Sequence, residues 1–285
     1  MTDNDQKKGL LHNKSFWTRT LSGIIIVAIL VTVFVIGYDV MLCFMCLLSL
    51  IGLFELYRAV GLKIDVLTCI GYAGVIAHYV MIRFLDATYY LLLLYSVMLI
   101  VILAVFVLTF PKYELQQVIT VFFGVFYVGV MLSFMYLLRI HPPSGAYLVW
   151  LVVISSWGCD IFAYLVGMLF GKHKFVPRLS PKKSVEGAIG GIVGAVVLGL
   201  VYGLIVQKWI PDVEHAPLVF MIICLFGAIA AQIGDLAASA IKRKVGIKDY
   251  SNLIPGHGGI LDRFDSMIMV APIMYIVTIY AVMVS

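Results

Sequence analysis

Apolar segments recur along the whole chain, and each is long enough to cross the hydrocarbon core of a bilayer. A transmembrane helix needs about 20 mainly apolar residues, and nine segments of the 285-residue sequence approach or exceed that length. The sequence therefore predicts an all-α polytopic membrane protein. The predicted spans cover residues 21–37, 40–57, 66–82, 89–110, 117–138, 146–170, 187–208, 217–240 and 264–284.

The charge content excludes a water-soluble protein. Only 12% of the residues are charged and 63% are hydrophobic, whereas soluble domains carry about 25% charged residues. The first span lacks a small-residue cleavage site, because Tyr38, Asp39 and Val40 follow it, so it is predicted to be retained. Membrane lipids are the expected surroundings, and no nucleic-acid partner is expected.

The basic residues predict the orientation. With the N-terminus in the cytoplasm, 17 of the 20 Lys and Arg residues fall on the cytoplasmic side. Arg83, Arg139 and Lys208 fall on the other side, as the positive-inside rule requires. We therefore predict an integral protein of the cell membrane whose C-terminus lies opposite its N-terminus. Its parts are a cytoplasmic tail (1–20), about five N-terminal spans (21–140) and a catalytic region of about four spans (141–285).

Two long cytoplasmic loops, 171–186 and 241–263, hold most of the polar residues of the catalytic region. The span between them opens with Gly187, Gly190, Gly191 and Gly194, whose four-residue spacing is typical of closely packed membrane helices. No strand precedes these glycines, so they predict a packing face and not a nucleotide-binding motif.

Carboxylates inside membrane spans are costly and usually functional or paired. Asp160, Asp235, Asp262 and Asp265 all lie where a span reaches the cytoplasmic side, so they are predicted to converge. Such acids would repel one another without a cation between them, and oxygen-only ligands at a phosphate site favour Mg²⁺. Asp39 and Glu55 are interpreted as ordinary interfacial residues.

Helical spacing supports a phosphate site at this depth. Asp235, Ser239 and Lys242 share one face of the eighth span, and Asp262 and Asp265 share one face of the ninth. The intervening loop places three glycines around His257, which allow positive φ angles and close backbone approach. Consecutive N–H groups in this loop are a candidate anion-binding nest. The other loop supplies lysines beside a helix N-terminus, which suits polyanionic phosphates.

The C-terminal half resembles the phosphatidate cytidylyltransferases, also called CDP-diacylglycerol synthases. The resemblance rests on Ser239 to Arg243, Lys248-Asp249 and the run from Pro255 to Asp265, which together span 27 residues. The run from Ser180 to Gly187 extends it, with Ser184 where the family pattern leads one to expect Thr. The N-terminal spans agree only in hydrophobicity and number.

The resemblance implies transfer of a cytidylyl group from CTP to phosphatidic acid by an all-helical homodimer. Asp235 and Asp262 would be the metal carboxylates, with Asp265, Asp249 and Asp160 as supports or ligands of a second cation such as K⁺. His257 would contact a phosphate or the base. The other residues implied in catalysis or substrate binding are Lys182, Lys183, Ser184, Ser239, Lys242, Arg243, Lys248, Gly258, Gly259 and Arg263.

Two other functions remain as alternatives. A CTP-dependent polyprenol or lipid kinase on a related scaffold would need a general base, because its acceptor is a hydroxyl group. An ion-coupled transporter would use the intramembrane acids Asp160 and Asp235. A CDP-alcohol phosphotransferase is disfavoured, since its D-G-x-x-A-R run is absent from the sequence.

Overall fold

Helices account for nearly all of the chain in the computed structural model, which describes residues 14–85 and 88–284. Within these residues, nine helices are long and apolar enough to cross a membrane. The predicted all-α polytopic fold is therefore confirmed. The helices are α1 (Lys14–Ile36), α2 (Tyr38–Ala59), α3 (Val66–Phe84), α4 (Thr88–Leu108), α5 (Leu115–Ile140), α6 (Gly145–Phe170), α7 (Val185–Val206), α8 (Ala216–Lys244) and α9 (Leu261–Val284).

The N-terminal boundary differs from the prediction. Residues 1–20 were expected to form a tail, but α1 already begins at Lys14. No Gly or Pro lies between Lys14 and Leu21 to interrupt the helix, so it continues beyond the apolar run. The first 13 residues of the predicted tail lie outside the described part of the chain.

Two helices contain a π-helical segment. Val125–Val130 interrupts α5, and Ile154–Gly158 interrupts α6 just before Asp160. A π segment changes the direction in which the following side chains point, and such segments are frequent at functional sites. Within the second segment, the Ser156 hydroxyl lies 2.7 Å from the Ser266 hydroxyl of α9. This contact ties α6 to the start of α9.

The glycine face of α7 packs against α6, as predicted. Gly187, Gly191 and Gly194 are buried, and a Cβ atom on Gly191 would lie 2.8 Å from the carbonyl oxygen of Cys159. Only a residue without a side chain permits that approach. The close contact brings the start of α7 next to Asp160 on α6.

A short hairpin, not foreseen from the sequence, occupies the loop between α6 and α7. Strands β1 (Lys174–Val176) and β2 (Ser180–Ser184) are antiparallel, with Lys174 opposite Ser184. The Ser184 hydroxyl accepts a hydrogen bond of 3.1 Å from the Gly187 N–H and so caps α7. The hairpin thereby holds Lys182 and Lys183 beside the helix start.

Candidate active site

Four carboxylates lie on the wall of one cavity between α1, α6, α8 and α9. Asp160 comes from α6, Asp235 from α8, and Asp262 and Asp265 from α9. The cavity has a volume of about 390 Å³ and is called the carboxylate cavity below. The predicted convergence of these acids from three separate spans is therefore observed. The remaining lining residues are Gly23, Ile26, Val27, Trp157, Ile161, His257, Arg263 and Ser266.

Asp262 is the most extensively bonded of the four acids. One of its oxygens accepts a hydrogen bond of 2.7 Å from the Lys242 ammonium group. The other accepts hydrogen bonds of 2.9 Å from the N–H groups of Tyr250 and Gly259. Its side chain is 2% exposed and that of Lys242 is 13% exposed. Asp262 thus orders the α8–α9 loop as well as facing the cavity.

The other three acids form fewer hydrogen bonds and ion pairs. Asp235 forms an ion pair with Lys183, which reaches it from the hairpin. Asp265 is buried and accepts a hydrogen bond of 2.7 Å from the Ser266 N–H. Asp160 is exposed to the cavity and forms no hydrogen bond with a described residue. The negative charges of Asp160, Asp235 and Asp265 repel one another, so the group favours a cation.

The carboxylate oxygens of the cavity are candidate ligands for a metal ion. Among the described residues, no three His, Cys, Asp or Glu side chains are placed to hold a metal together. Mg²⁺ usually keeps several waters and binds one or two carboxylates together with substrate phosphates. Carboxylates on an open cavity wall, rather than a closed cage, meet that requirement.

The glycine-rich loop folds as expected in its backbone angles but not in its hydrogen bonds. Gly256 and Gly258 have φ angles of 78° and 82°, which favour glycine. The prediction of an anion-binding nest is wrong for two N–H groups of this loop. The His257 N–H donates to the Ile254 carbonyl, and the Gly259 N–H donates to Asp262. The anion that the Gly259 N–H binds is therefore the Asp262 carboxylate of the protein itself.

His257 is anchored to α1. Its Nδ1 atom lies 2.8 Å from the Ser22 hydroxyl, which also donates a hydrogen bond of 3.1 Å to the Pro255 carbonyl. Burial, followed by the neighbouring charges of Arg263 and Arg19, lowers the pKa of His257. A neutral imidazole fixed at one nitrogen suits a substrate contact.

The remaining predicted site residues lie around this centre. Lys182, Lys183 and Ser184 line a second cavity of about 420 Å³, which Asp160 also borders. Ser239 is half-buried and Arg243 is exposed at the end of α8. Asp249, predicted as a metal ligand, lines neighbouring cavities with Asn252 and does not line the carboxylate cavity. Lys248 lies beside it.

Glu55 on α2 was misjudged from the sequence. It is not an interfacial residue: it is 1% exposed and accepts hydrogen bonds from the Ile260 and Leu261 N–H groups at 3.0 and 2.8 Å. Ser251 donates a third, of 2.5 Å. Glu55 therefore stabilises the N-terminus of α9. A carboxylate within an apolar run was the available signal, and it is the same signal that identified Asp160.

Comparison with known proteins agrees with this arrangement. Residues 17–281 match the cytidylyltransferase family. The chain belongs to this family. A phosphatidate cytidylyltransferase of Bacillus subtilis is 30% identical over 268 residues, covering 90% of this chain and 95% of its own length. Proteins of the same name from Staphylococcus haemolyticus and Staphylococcus aureus are 31% and 32% identical, each covering 92% of this chain and 98% of their own length.

In this cytidylyltransferase, replacing Glu55 by Ala is expected to lower the free energy of unfolding by about 2–4 kcal/mol. The change leaves two backbone N–H groups and one hydroxyl without their acceptor, and a fully buried unpaired group costs about 1–3 kcal/mol. The Leu261 N–H is buried, whereas water can replace part of the loss at the partly buried Ile260 N–H and Ser251 hydroxyl. Glu55→Gln keeps one acceptor oxygen and should cost less. Thermal unfolding in detergent measures both, and equal unfolding temperatures for parent and Glu55→Ala would contradict the assignment.

Proposed function

We propose that this enzyme transfers the cytidylyl group of CTP to phosphatidic acid and forms CDP-diacylglycerol and pyrophosphate. The observation that carries the proposal is the carboxylate cavity, where acids from three spans meet Lys183, Lys242 and Arg263 at one end of the helical bundle. The family match and the similarity to proteins named phosphatidate cytidylyltransferase support it.

The lining of the cavity suits a lipid that carries a phosphate. Ile26 and Val27 of α1 and Ile161 of α6 lie beside the carboxylates, and Ile161 is 58% exposed. These apolar side chains would accommodate the acyl chains of a lipid next to the cavity. The ionised side chains of the carboxylate cavity would then contact the phosphate headgroup of the lipid.

The reaction needs charge neutralisation more than proton transfer. A phosphate monoester has a second pKa of about 6, so phosphatidate is largely ionised at neutral pH. Its phosphate oxygen bonds to the α-phosphorus of CTP as the bond from that phosphorus to the bridging oxygen breaks. Pyrophosphate leaves with the electron pair. No general base is required, and His257 is assigned to substrate contact.

Mg²⁺ is proposed as the cofactor, held by Asp235 and Asp262 with Asp160 or Asp265 in support. When bound, Mg²⁺ would offset the negative charge of the two phosphate-bearing substrates. Lys183 and Lys242 already pair with two of these carboxylates. Both lysines therefore lie where they would contact the phosphates of a substrate bound beside these carboxylates. A second cation such as K⁺ belongs to the same proposal.

The site is proposed to face the cytoplasm. The start of α1, the end of α2 and the α8–α9 loop contact one another through Ser22, Glu55 and Ser251. These are the helix ends that carry most of the basic residues, which mark the cytoplasmic side. A homodimer, implied by the family resemblance, remains a prediction that light scattering of the purified protein tests.

Labelled CTP separates this activity from the alternatives. With CTP labelled at the α-phosphate, purified protein, phosphatidate and Mg²⁺, we expect the label to enter the lipid product. With the γ-phosphate labelled, we expect the label in pyrophosphate. Entry of the γ-label into a lipid alcohol would indicate the kinase. If neither the α-label nor the γ-label enters any lipid, nucleotide chemistry is refuted and the transporter is favoured.

A further inference from the structure

A strongly basic cavity, distinct from the one that Lys182 and Lys183 line, adjoins the carboxylate cavity on the loop side. It has a volume of about 560 Å³, and its cationic lining residues are Arg19 of α1, Lys248 of the loop and Arg263 of α9. His257 and Arg263 line both cavities, so the two share a wall. Asp249 is the acidic residue of the described lining. We refer to this site as the basic cavity.

Arg19 is held over the loop by specific contacts of α1. Ser22, three residues later on the same helix, is bonded to Pro255 and His257. A Cβ atom on Gly256 would lie 2.6 Å from the Arg19 Cγ atom. The absence of a side chain at Gly256 therefore makes room for the stem of Arg19. Arg19 was not among the site residues predicted from the sequence.

The charge pairing of the basic cavity differs from that of the carboxylate cavity. Among the described residues, neither Arg19 nor Lys248 takes part in an ion pair, and the Arg263 Nε atom is buried without a hydrogen-bond acceptor. In contrast, the lysines of the carboxylate cavity are both paired. Arg19 and Lys248 are exposed, so the Arg263 Nε atom is the costly buried donor. This donor, together with the like charges beside it, indicates an anionic ligand.

We propose that the basic cavity holds the β- and γ-phosphates of CTP, with Arg19 of α1 as one of the contacting residues. The proposal rests on the cytidylyltransferase function proposed above. The lining carries three cations and one carboxylate, an excess of positive charge that suits the terminal diphosphate of CTP. In an in-line transfer, the nucleophile and the leaving group lie on opposite sides of the α-phosphorus. The apolar wall of the carboxylate cavity would admit the lipid, and the basic cavity would hold the departing pyrophosphate.

Kinetics in both directions test the role of Arg19. Loss of one charge-assisted contact is expected to raise the KM for CTP about 10- to 100-fold in Arg19→Ala. The KM for pyrophosphate in the reverse reaction should rise by a similar factor. The KM values for phosphatidate and CDP-diacylglycerol should stay unchanged. Arg19→Lys should recover part of the loss. Arg58→Ala, which removes an exposed cation from α2 near the same loop, is the matched control and should change none of these constants.

Other outcomes would overturn the proposal. A raised KM for phosphatidate alone would assign Arg19 to the lipid headgroup, and a fall in kcat alone would indicate a structural role. Stabilisation against heat by pyrophosphate provides a readout that needs no turnover: it should occur in the parent and weaken in Arg19→Ala. Equal stabilisation of both proteins would refute the role of Arg19. If the parent binds pyrophosphate but makes no CDP-lipid, the proposed function fails while the anion site stands.

Discussion

Asp235→Asn is expected to lower kcat by about 10²- to 10³-fold, the loss typical of removing one electrostatic contact to a transition state. Asparagine has nearly the same shape but carries no charge, so it binds Mg²⁺ weakly and no longer pairs with Lys183. The Asp235 side chain is 28% exposed, and the folded structure should therefore tolerate the substitution. Turnover as a function of Mg²⁺ concentration, together with abundance in the membrane, measures both effects.

A matched control is available at another ion pair. Asp39 pairs with Arg83 at 2.5 Å, and both side chains are substantially exposed. The residues of this pair do not line the carboxylate cavity, so Asp39→Asn should leave kcat unchanged. Near-normal turnover of Asp235→Asn at ordinary Mg²⁺ concentrations would refute the metal assignment.

Asp262→Asn should abolish turnover and, unlike Asp235→Asn, also destabilise the fold. Removing one partner of a buried ion pair costs about 3–5 kcal/mol. We expect about 3 kcal/mol, because Lys242 keeps some contact with solvent. The Asn side chain has only one acceptor oxygen, so it can serve either Lys242 or the N–H groups of Tyr250 and Gly259, which share one oxygen of Asp262. Thermal unfolding and proteolysis of the α8–α9 loop report these changes.

A second substitution separates stability from catalysis for Asp262. Lys242→Met combined with Asp262→Asn removes the unpaired ammonium group, so it should recover part of the stability without recovering activity. If Asp262→Asn unfolds at the parent temperature, the hydrogen-bond network described for Asp262 is not important for stability. If the single variant keeps normal turnover, Asp262 is not part of the site.

The spans and the grouping of the acids could be predicted because both depend on local sequence. Apolar length defines a membrane helix, and a carboxylate near the end of a span can lie at only one depth. Asp160, Asp235 and Asp262 were located in this way. The glycine face of α7 was predictable for the same reason, since its spacing alone describes a packing surface.

Other features depend on contacts between distant parts of the chain. Glu55 and Leu261 are bonded although 206 residues separate them in sequence, and no local pattern indicates that pairing. The π segment before Asp160 has no local sequence signal either, and Lys183 pairs with Asp235 from a hairpin 52 residues away in the sequence. Arg19 was counted as a topology signal, because its position over Gly256 becomes visible only when α1 is placed against the loop.

The bond from Glu55 to the first turn of α9 makes the two halves of the polypeptide interdependent. A fragment limited to residues 141–285 would contain all four carboxylates of the cavity, yet the amides at the start of α9 would have lost the acceptor that α2 provides. The N-terminal spans are thus more than a membrane anchor. The smallest unit that keeps these amides bonded must include the second helix.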